Sequence, residues 1–288
     1  GCGRDDEAAA GGAGGRAPDD DATSGAGNAA TGGAATSGAP NGGATTSSAG
    51  ATGGPDDTPP PAGAIYVDPS LPEDDCADYD PTSRACGAGD SPAFRILADA
   101  VAVATAGDTV VLREGIYQEP LVPTSSGVEG APLTFRAFPG EAPTLTGDAS
   151  PAMIQLLGVS HVIIDGLRVE DAPWLEAQDA HHNVVRYCDF DSTPATGTTG
   201  NVRFVQSDDN LVLGNRIHAG NDDLLLIDSE RNVVEDNDIS EGGHSVFGIR
   251  CGDRNVIRGN RFANSLQKIG EVYDCGEDTS AVPNSFDS

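Results

Sequence analysis

The residues best able to do chemistry lie in the last third of the chain. Lys268 is the only lysine among 288 residues, and it stands three positions before Glu271. An ammonium beside a carboxylate can move a proton or neutralise a substrate anion. From Arg250 to Lys268 the chain holds five bases (Arg250, Arg254, Arg258, Arg261 and Lys268) and one acid, Asp253, a positive stripe on a chain of net charge −29. With His244 just upstream, the candidate catalytic residues are Lys268, Arg250, Glu271 and His244. Arg254, Tyr273 and Trp174 are the candidate substrate contacts, Trp174 because an indole can stack on a sugar. Facing them is an acidic set that includes Asp208, Asp209, Asp222, Asp223, Asp228, Glu230, Asp236, Asp238 and Glu241. Hard oxygen ligands on neighbouring turns can hold Ca2+, and Asp222, Asp223 and Asp228 are the candidate ligands. Asp222, Asp223 and His244 are also the best set for an inverting hydrolase, which needs paired carboxylates on one face. His181-His182 has no Cys or acid at metal spacing and reads as a surface pair. No Gly-x-Ser-x-Gly, P-loop or dinucleotide fingerprint appears.

Something must bring these residues together, and the sequence repeats itself. His161-Val-Ile-Ile-Asp-Gly-Leu, Asn183-Val-Val-Arg-Tyr-Cys-Asp-Phe, Asn210-Leu-Val-Leu-Gly-Asn-Arg-Ile, Asn232-Val-Val-Glu-Asp-Asn-Asp-Ile and Asn255-Val-Ile-Arg-Gly-Asn-Arg-Phe align without gaps, starting 22, 27, 22 and 23 residues apart. A period near 22 suits an all-β parallel β-helix, whose coils each hold three short strands and stack about 4.8 Å apart. The Asn five places into each unit (Asn215, Asn237, Asn260) tolerates left-handed backbone angles and can bond its counterpart in the next coil. Cys188 and Gly166 fill that column in earlier coils, so the ladder is interrupted there.

Stacking turns offsets into columns. Counted from those three Asn residues, plus seven gives Asp222, His244 and Gln267, and plus eight gives Asp223, Ser245 and Lys268. Plus eleven gives Leu226, Gly248 and Glu271, and plus thirteen gives Asp228, Arg250 and Tyr273. Apolar residues at plus ten and plus twelve put plus eleven and plus thirteen outside. Apolar residues at plus nine leave that phase open.

Upstream, Ser91-Pro92 followed by apolar residues at helical spacing predicts a short helix with a Ser cap and a first-turn Pro, placed to close one end of the solenoid. Strands are expected at Gly107-Asp-Thr-Val-Val-Leu, Gly115-Ile-Tyr117, Leu133-Thr-Phe-Arg-Ala-Phe and Thr144-Leu-Thr-Gly147. Together with Ile65-Tyr-Val-Asp68 and Ala131-Pro-Leu-Thr-Phe-Arg-Ala-Phe-Pro-Gly140, this stretch resembles the opening of secreted right-handed parallel β-helix proteins of the pectate-lyase-like superfamily, closest to the chondroitinase B and alginate lyase family. The resemblance covers about 65–275. It implies a uronate-directed polysaccharide lyase in which Lys268 is the base and Arg250 and other cations neutralise the uronate. The Lys268-x-x-Glu271 spacing is similar to that family's lysine region, and the family's further Arg would fall beyond Ser288. Because the scaffold also carries hydrolases and non-catalytic proteins, a glycan-binding surface module and a glycoside hydrolase remain the alternatives.

Composition sets the frame. Before Ile65 there is no Val, Ile, Leu, Met, Phe, Tyr or Trp, and Gly plus Ala supply 33 of the first 63 residues. Residues 1–63 therefore read as a disordered tether, and 64–288 as one β-helix domain. Gly1-Cys2 ahead of this tether resembles the mature end of a bacterial lipoprotein, with Cys2 lipidated and the protein held at the cell envelope or outer membrane, or released outside the cell. The chain stops at Ser288 soon after a coil, which reads as a missing C-terminal part or a short non-catalytic version. Cys76 and Cys86 sit ten apart in an acidic loop with no His nearby, which predicts a disulfide; Cys251 and Cys275 are a second candidate pair, leaving Cys188 as a buried thiol. Net charge disfavours nucleic acid as a partner, no run of 18 apolar residues exists, and a monomer touching the membrane only through its anchor is expected.

Overall fold

Residues 54–55, 57–192, 200–273, 275 and 283–287 are described by a computed structural model. Cys2 and the tether through residue 53 lie outside the described residues.

Triplets of β-branched and Leu residues, set between positions that accept left-handed angles, wind into a parallel β-solenoid. One coil runs Leu211–Leu213, Arg216–His218 and Asp222–Ile227, and the next begins at Val233–Glu235. Corresponding strands stack into three parallel sheets, called A, B and C here in the order a coil visits them. Sheet A has eleven strands, B seven and C six; nine of those in A are successive coil strands, from Ile65–Val67 to Ser285–Asp287. The central residue of each triplet faces in. Val110, Phe135, Ile164, Val185, Val212, Val234 and Ile257 line sheet A, and Tyr117, Leu145, Val169, Phe190, Ile217 and Ile239 line sheet B. All of them are buried.

Two Asn ladders hold the corners. Between A and B, Cys188 N–H donates to Asn215 Oδ1, Asn215 to Asn237 and Asn237 to Asn260, each 2.8–2.9 Å. This is the expected ladder, with one correction: Asn183 aligns with Val162, so Leu167 rather than Gly166 heads the column. Gly166 occupies the position before it, where Gly166, Tyr187, Gly214, Asp236 and Gly259 all have φ between 53° and 71°. The second ladder lies between C and A. There Asn183, Asn210, Asn232, Asn255 and Asn284 each accept the preceding rung's N–H at 2.9 Å. Buried amides bonded to backbone groups this way satisfy polar atoms that would otherwise destabilise the corner.

Outside, charges alternate in sign down the coils. In sheet B the row Arg168, Asp189, Arg216, Asp238, Arg261 alternates in sign, with Asp189 paired to both Arg168 and Arg216 and Asp238 paired to Arg261. The five bases from Arg250 to Lys268 form no stripe, because the chain carries them round one coil. Arg250, Arg254, Arg258 and Arg261 each pair with an acid of the preceding coil, respectively Asp222, Glu230, Glu235 and Asp238. A basic coil thus stacks on an acidic one, and the acidic set is likewise distributed over all three corners instead of forming a patch.

The capping helix is Leu97–Val103, shorter than expected and without a Ser cap. Ser91–Phe94 is instead a strand pairing with Ile65–Val67, and the Leu97 N–H is met by Glu119. Described residues before position 64 also touch the solenoid. Arg136 Nη2 donates to Thr58 O at 3.1 Å, and a Cβ on Gly166 would meet Pro55, so the Pro-rich end of the expected tether is seated on sheet A. No described helix is long and apolar enough to cross a membrane.

Both disulfides are present, Cys76–Cys86 and Cys251–Cys275, with Cα separations of 6.1 and 4.8 Å. Cys188 is a buried free thiol, pushed up to about 12 by desolvation and therefore inert. Cys251 and Cys275 are 24 residues apart and tie adjacent coils. Closing a loop of that length is worth about 3 kcal/mol. The double variant Cys251→Ser/Cys275→Ser is expected to melt at a lower temperature than the parent, and an unchanged midpoint would show that the bond adds nothing.

Candidate functional site

Sheet C presents the site. The strands Asp222–Ile227, Ser245–Arg250 and Lys268–Tyr273 are in parallel register, with Asp222 beside Ser245 and Lys268, Leu225 beside Gly248 and Glu271, and Ile227 beside Arg250 and Tyr273. Phe247, Ile249, Leu224 and Leu226 face in. The expected outward phase therefore holds for the two later coils and slips by one in the first. The link from Asn215 to its sheet C strand is one residue shorter than the link from Asn237, so Asp222 pairs with Ser245 instead of His244.

On the outer face the four candidate catalytic residues converge. His244 leaves the corner between B and C and directs Nδ1 at Asp222 Oδ1, 2.7 Å away. Ser245 Oγ donates to the same oxygen at 2.7 Å. His244 Nε2 faces Glu271 Oε1 at 3.8 Å, Lys268 Nζ bonds Glu271, and Arg250 Nη2 lies 3.9 Å from Asp222 Oδ2. Burial acts to raise the Asp222 pKa, but bonds from Ser245 and His244 hold it below the usual carboxylate range. Glu271 is held low by Lys268, assisted by a hydroxyl bond from Tyr273, and Glu271 in turn raises the Lys268 ammonium above its ordinary value. Leu225 leans over Gly248, where a Cβ would come within 2.7 Å of its Cδ2, so glycine keeps the middle of this face open.

Other expected residues do not belong to this cluster. Trp174 is fully buried and cannot stack on a sugar; its Nε1 donates to Asp191 O, and its ring packs beside Phe190. Arg254 sits at the corner between C and A, paired with Glu230. Asp223 is fully buried with its Oδ1 bonded to Gly220 N–H at 2.7 Å. It therefore cannot join Asp222 as a hydrolase pair on one face. Asp228 lies just past the far end of strand Asp222–Ile227, roughly 20 Å along an extended chain from Asp222, so the three aspartates share no ion. The sequence reading missed Ser245 as a second donor to Asp222. It also missed Glu176 and Arg203, which occupy the same outward row as Leu225, Gly248 and Glu271. Both lie outside the repeat's apolar signature and carried no motif.

Residues 145–288, half of the chain, match the family profile described as NosD, periplasmic copper-binding protein. The chain belongs to the NosD family. Among curated relatives of this NosD chain, Pectate lyase PEL9 of Emericella nidulans is 28% identical over 215 residues, covering 71% of the chain and 48% of the relative. YwoF of Bacillus subtilis is 36% identical over 84 residues, 27% of the chain and 18% of the relative. The chain thus spans less than half the length of either. Among solved structures it is similar to pectate lyase Pel9A, at 12% identity and a TM-score of 0.49, covering 77% of this chain and 57% of that one.

Copper selects converging imidazole, thiolate or thioether donors. Among the described residues no group of three His, Cys, Asp or Glu side chains converges on one point. Met153 and Cys188 are core residues, and Cys76, Cys86, Cys251 and Cys275 are in disulfides. The rings of His161 and His182 stack face to face at 5.0 Å and 13°, so their in-plane lone pairs do not meet. The described residues do not fit a copper centre in this NosD chain.

Proposed function

We propose that the outer face of sheet C acts on a uronate-containing polysaccharide by β-elimination. The observation that carries this reading is the convergence of an Asp222–His244 pair with Lys268, Glu271 and Arg250 on one solvent-facing surface. The name of the relative PEL9 supports the same substrate class. A carboxylate on Nδ1 requires a proton there, so in the neutral ring Nε2 carries the lone pair that can take a proton. Lys268, kept charged by Glu271, is a poor base and a good counter-ion. In this reading His244 removes the proton next to the uronate carboxylate while Lys268 and Arg250 stabilise the enolate. The C4–O4 bond then breaks, a C4=C5 double bond forms, and the leaving oxygen takes a proton, for which the exposed Tyr273 hydroxyl is a suitable donor. His244 thereby takes the role of base that the sequence expectation gave to Lys268.

Export fits the same reading, since two disulfides persist in oxidising compartments. An anchor at Cys2 would place the site outside the membrane. The test is incubation with alginate, pectate and dermatan-type chains, with and without added Ca2+. A rise in ultraviolet absorbance from the unsaturated uronate is expected. Binding without any rise on every polymer would replace the lyase by a glycan-binding module, and new reducing ends without absorbance would indicate hydrolysis.

A further inference from the structure

The outward row of sheet C that ends in Glu271 begins several coils earlier. It runs Gln155, Glu176, Arg203, Leu225, Gly248, Glu271, one residue per strand. Charge therefore stands on either side of an uncharged pair, Leu225 lying over Gly248. Arg203 and Glu271 are three strands apart, about 14 Å at the usual strand spacing.

Glu176 and Arg203 face each other with their bonding incomplete. Their ion pair is 3.4 Å from Nε to Oε2 without meeting as a hydrogen bond, and Arg203 Nε is buried with no acceptor. The Arg203 side chain is nevertheless 42% exposed, whereas that of Glu176 is 11% exposed. Burial raises the Glu176 pKa against the opposing effect of Arg203. A structural ion pair of this sort normally closes with bidentate bonds, as Arg113 does with Glu141 at 2.9 and 2.6 Å. Here the guanidinium keeps donors to spare and faces the same solvent as the catalytic cluster.

We propose that Arg203 and Glu176 form a second subsite, with Arg203 three strands from Glu271 in the same row, which holds a carboxylate-bearing sugar of the same polymer. Arg203 takes the carboxylate through its fork of N–H groups, and Glu176 accepts a hydroxyl. Arg203 is the exposed member of this row, since Leu225 and Gly248 between it and Glu271 are buried, so the two subsites would be bridged by a polymer running along the solenoid axis. This inference rests on the proposed uronate reading.

The experiment measures affinities for homo-oligouronates from dimers to octamers, with neutral oligosaccharides of equal length as controls. Arg203→Gln is expected to weaken octamer binding by about tenfold to a hundredfold, the loss of one charge-assisted contact, and to leave the dimer unchanged. Arg203→Lys, which keeps charge and stem without the fork, should fall between and serves should the Gln variant fail to fold. Equal affinities in parent and variants at every length overturn the subsite while the uronate reading stands. Equal weakening of dimer and octamer also overturns it, since Arg203 would then only support the central cluster. A parent protein that binds no uronate of any length overturns the uronate reading itself and the subsite with it.

Discussion

Asp223→Asn is expected to make the protein more stable at pH 8 and to leave it nearly unchanged at pH 4. Asp223 is fully buried beneath the corner that carries His244, with Oδ1 on the Gly220 N–H and Oδ2 unpartnered. A Cβ on Gly242 would come within 2.9 Å of that second oxygen, so the carboxyl is packed directly under the Gly242-Gly243 turn. Desolvation, with smaller contributions from Asp222 and Glu241, pushes its pKa up to about 8 from an ordinary 3.8. The sign follows from linkage. Between pH 3.8 and pH 8 the unfolded chain has released this proton and the folded chain has kept it, so stability declines as pH rises through that window. A shift of that size corresponds to about 6 kcal/mol, most of which asparagine, the shape of a neutral acid, should recover at the alkaline end. The melting midpoint should then rise by about 10 °C at pH 8. Parallel pH–stability curves for parent and variant would show that Asp223 is not a buried neutral acid.

Much of the fold was legible because a solenoid writes its period into the sequence. The aligned triplets, the Asn215–Asn237–Asn260 ladder and both disulfides could be read from residue type and spacing alone. The second Asn ladder was equally visible, as the first residue of each aligned unit, but one amide column per coil already explained the repeat. Errors arose where a corner changed length by one residue. One shorter link placed Asp222 beside Ser245, and one slip exchanged Gly166 for Leu167. Side chains alternate with a period of two along a strand, so each such slip moves a residue between core and solvent.

The site was legible in its members and obscure in its geometry. Lys268, Glu271, Arg250 and His244 were found as the unusual residues of an acidic, lysine-poor chain. The bases that looked like a stripe proved to encircle a coil, because a linear string of charges does not show where the chain turns. Trp174 was misplaced because an indole in a Pro-flanked loop carries no mark of whether it lies over the coil or inside it. Asp223, an acid adjacent to another acid, read as surface, whereas the structure buries it with Oδ1 on the Gly220 N–H.

His244→Ala is expected to lower the elimination rate by about 10² to 10⁴, with binding of the polymer largely kept. Lys268→Ala should act differently, raising KM and lowering the rate, because it removes a counter-ion to the substrate carboxylate and releases Glu271 from its ion pair. Lys268→Arg, which preserves the charge, should restore most of the activity. Added imidazole should partly rescue His244→Ala and leave Lys268→Ala unaffected. Asp222→Asn should resemble His244→Ala, since loss of the carboxylate that holds Nδ1 frees the ring to adopt the tautomer with its proton on the attacking nitrogen. The opposite pattern, with Lys268→Arg as inactive as Lys268→Ala and His244→Ala still active, would return the role of base to Lys268. The pH profile separates the two independently. An ammonium that Glu271 holds above its ordinary range would have to lose its proton far into the alkaline region, so full activity at neutral pH argues against Lys268 as the base.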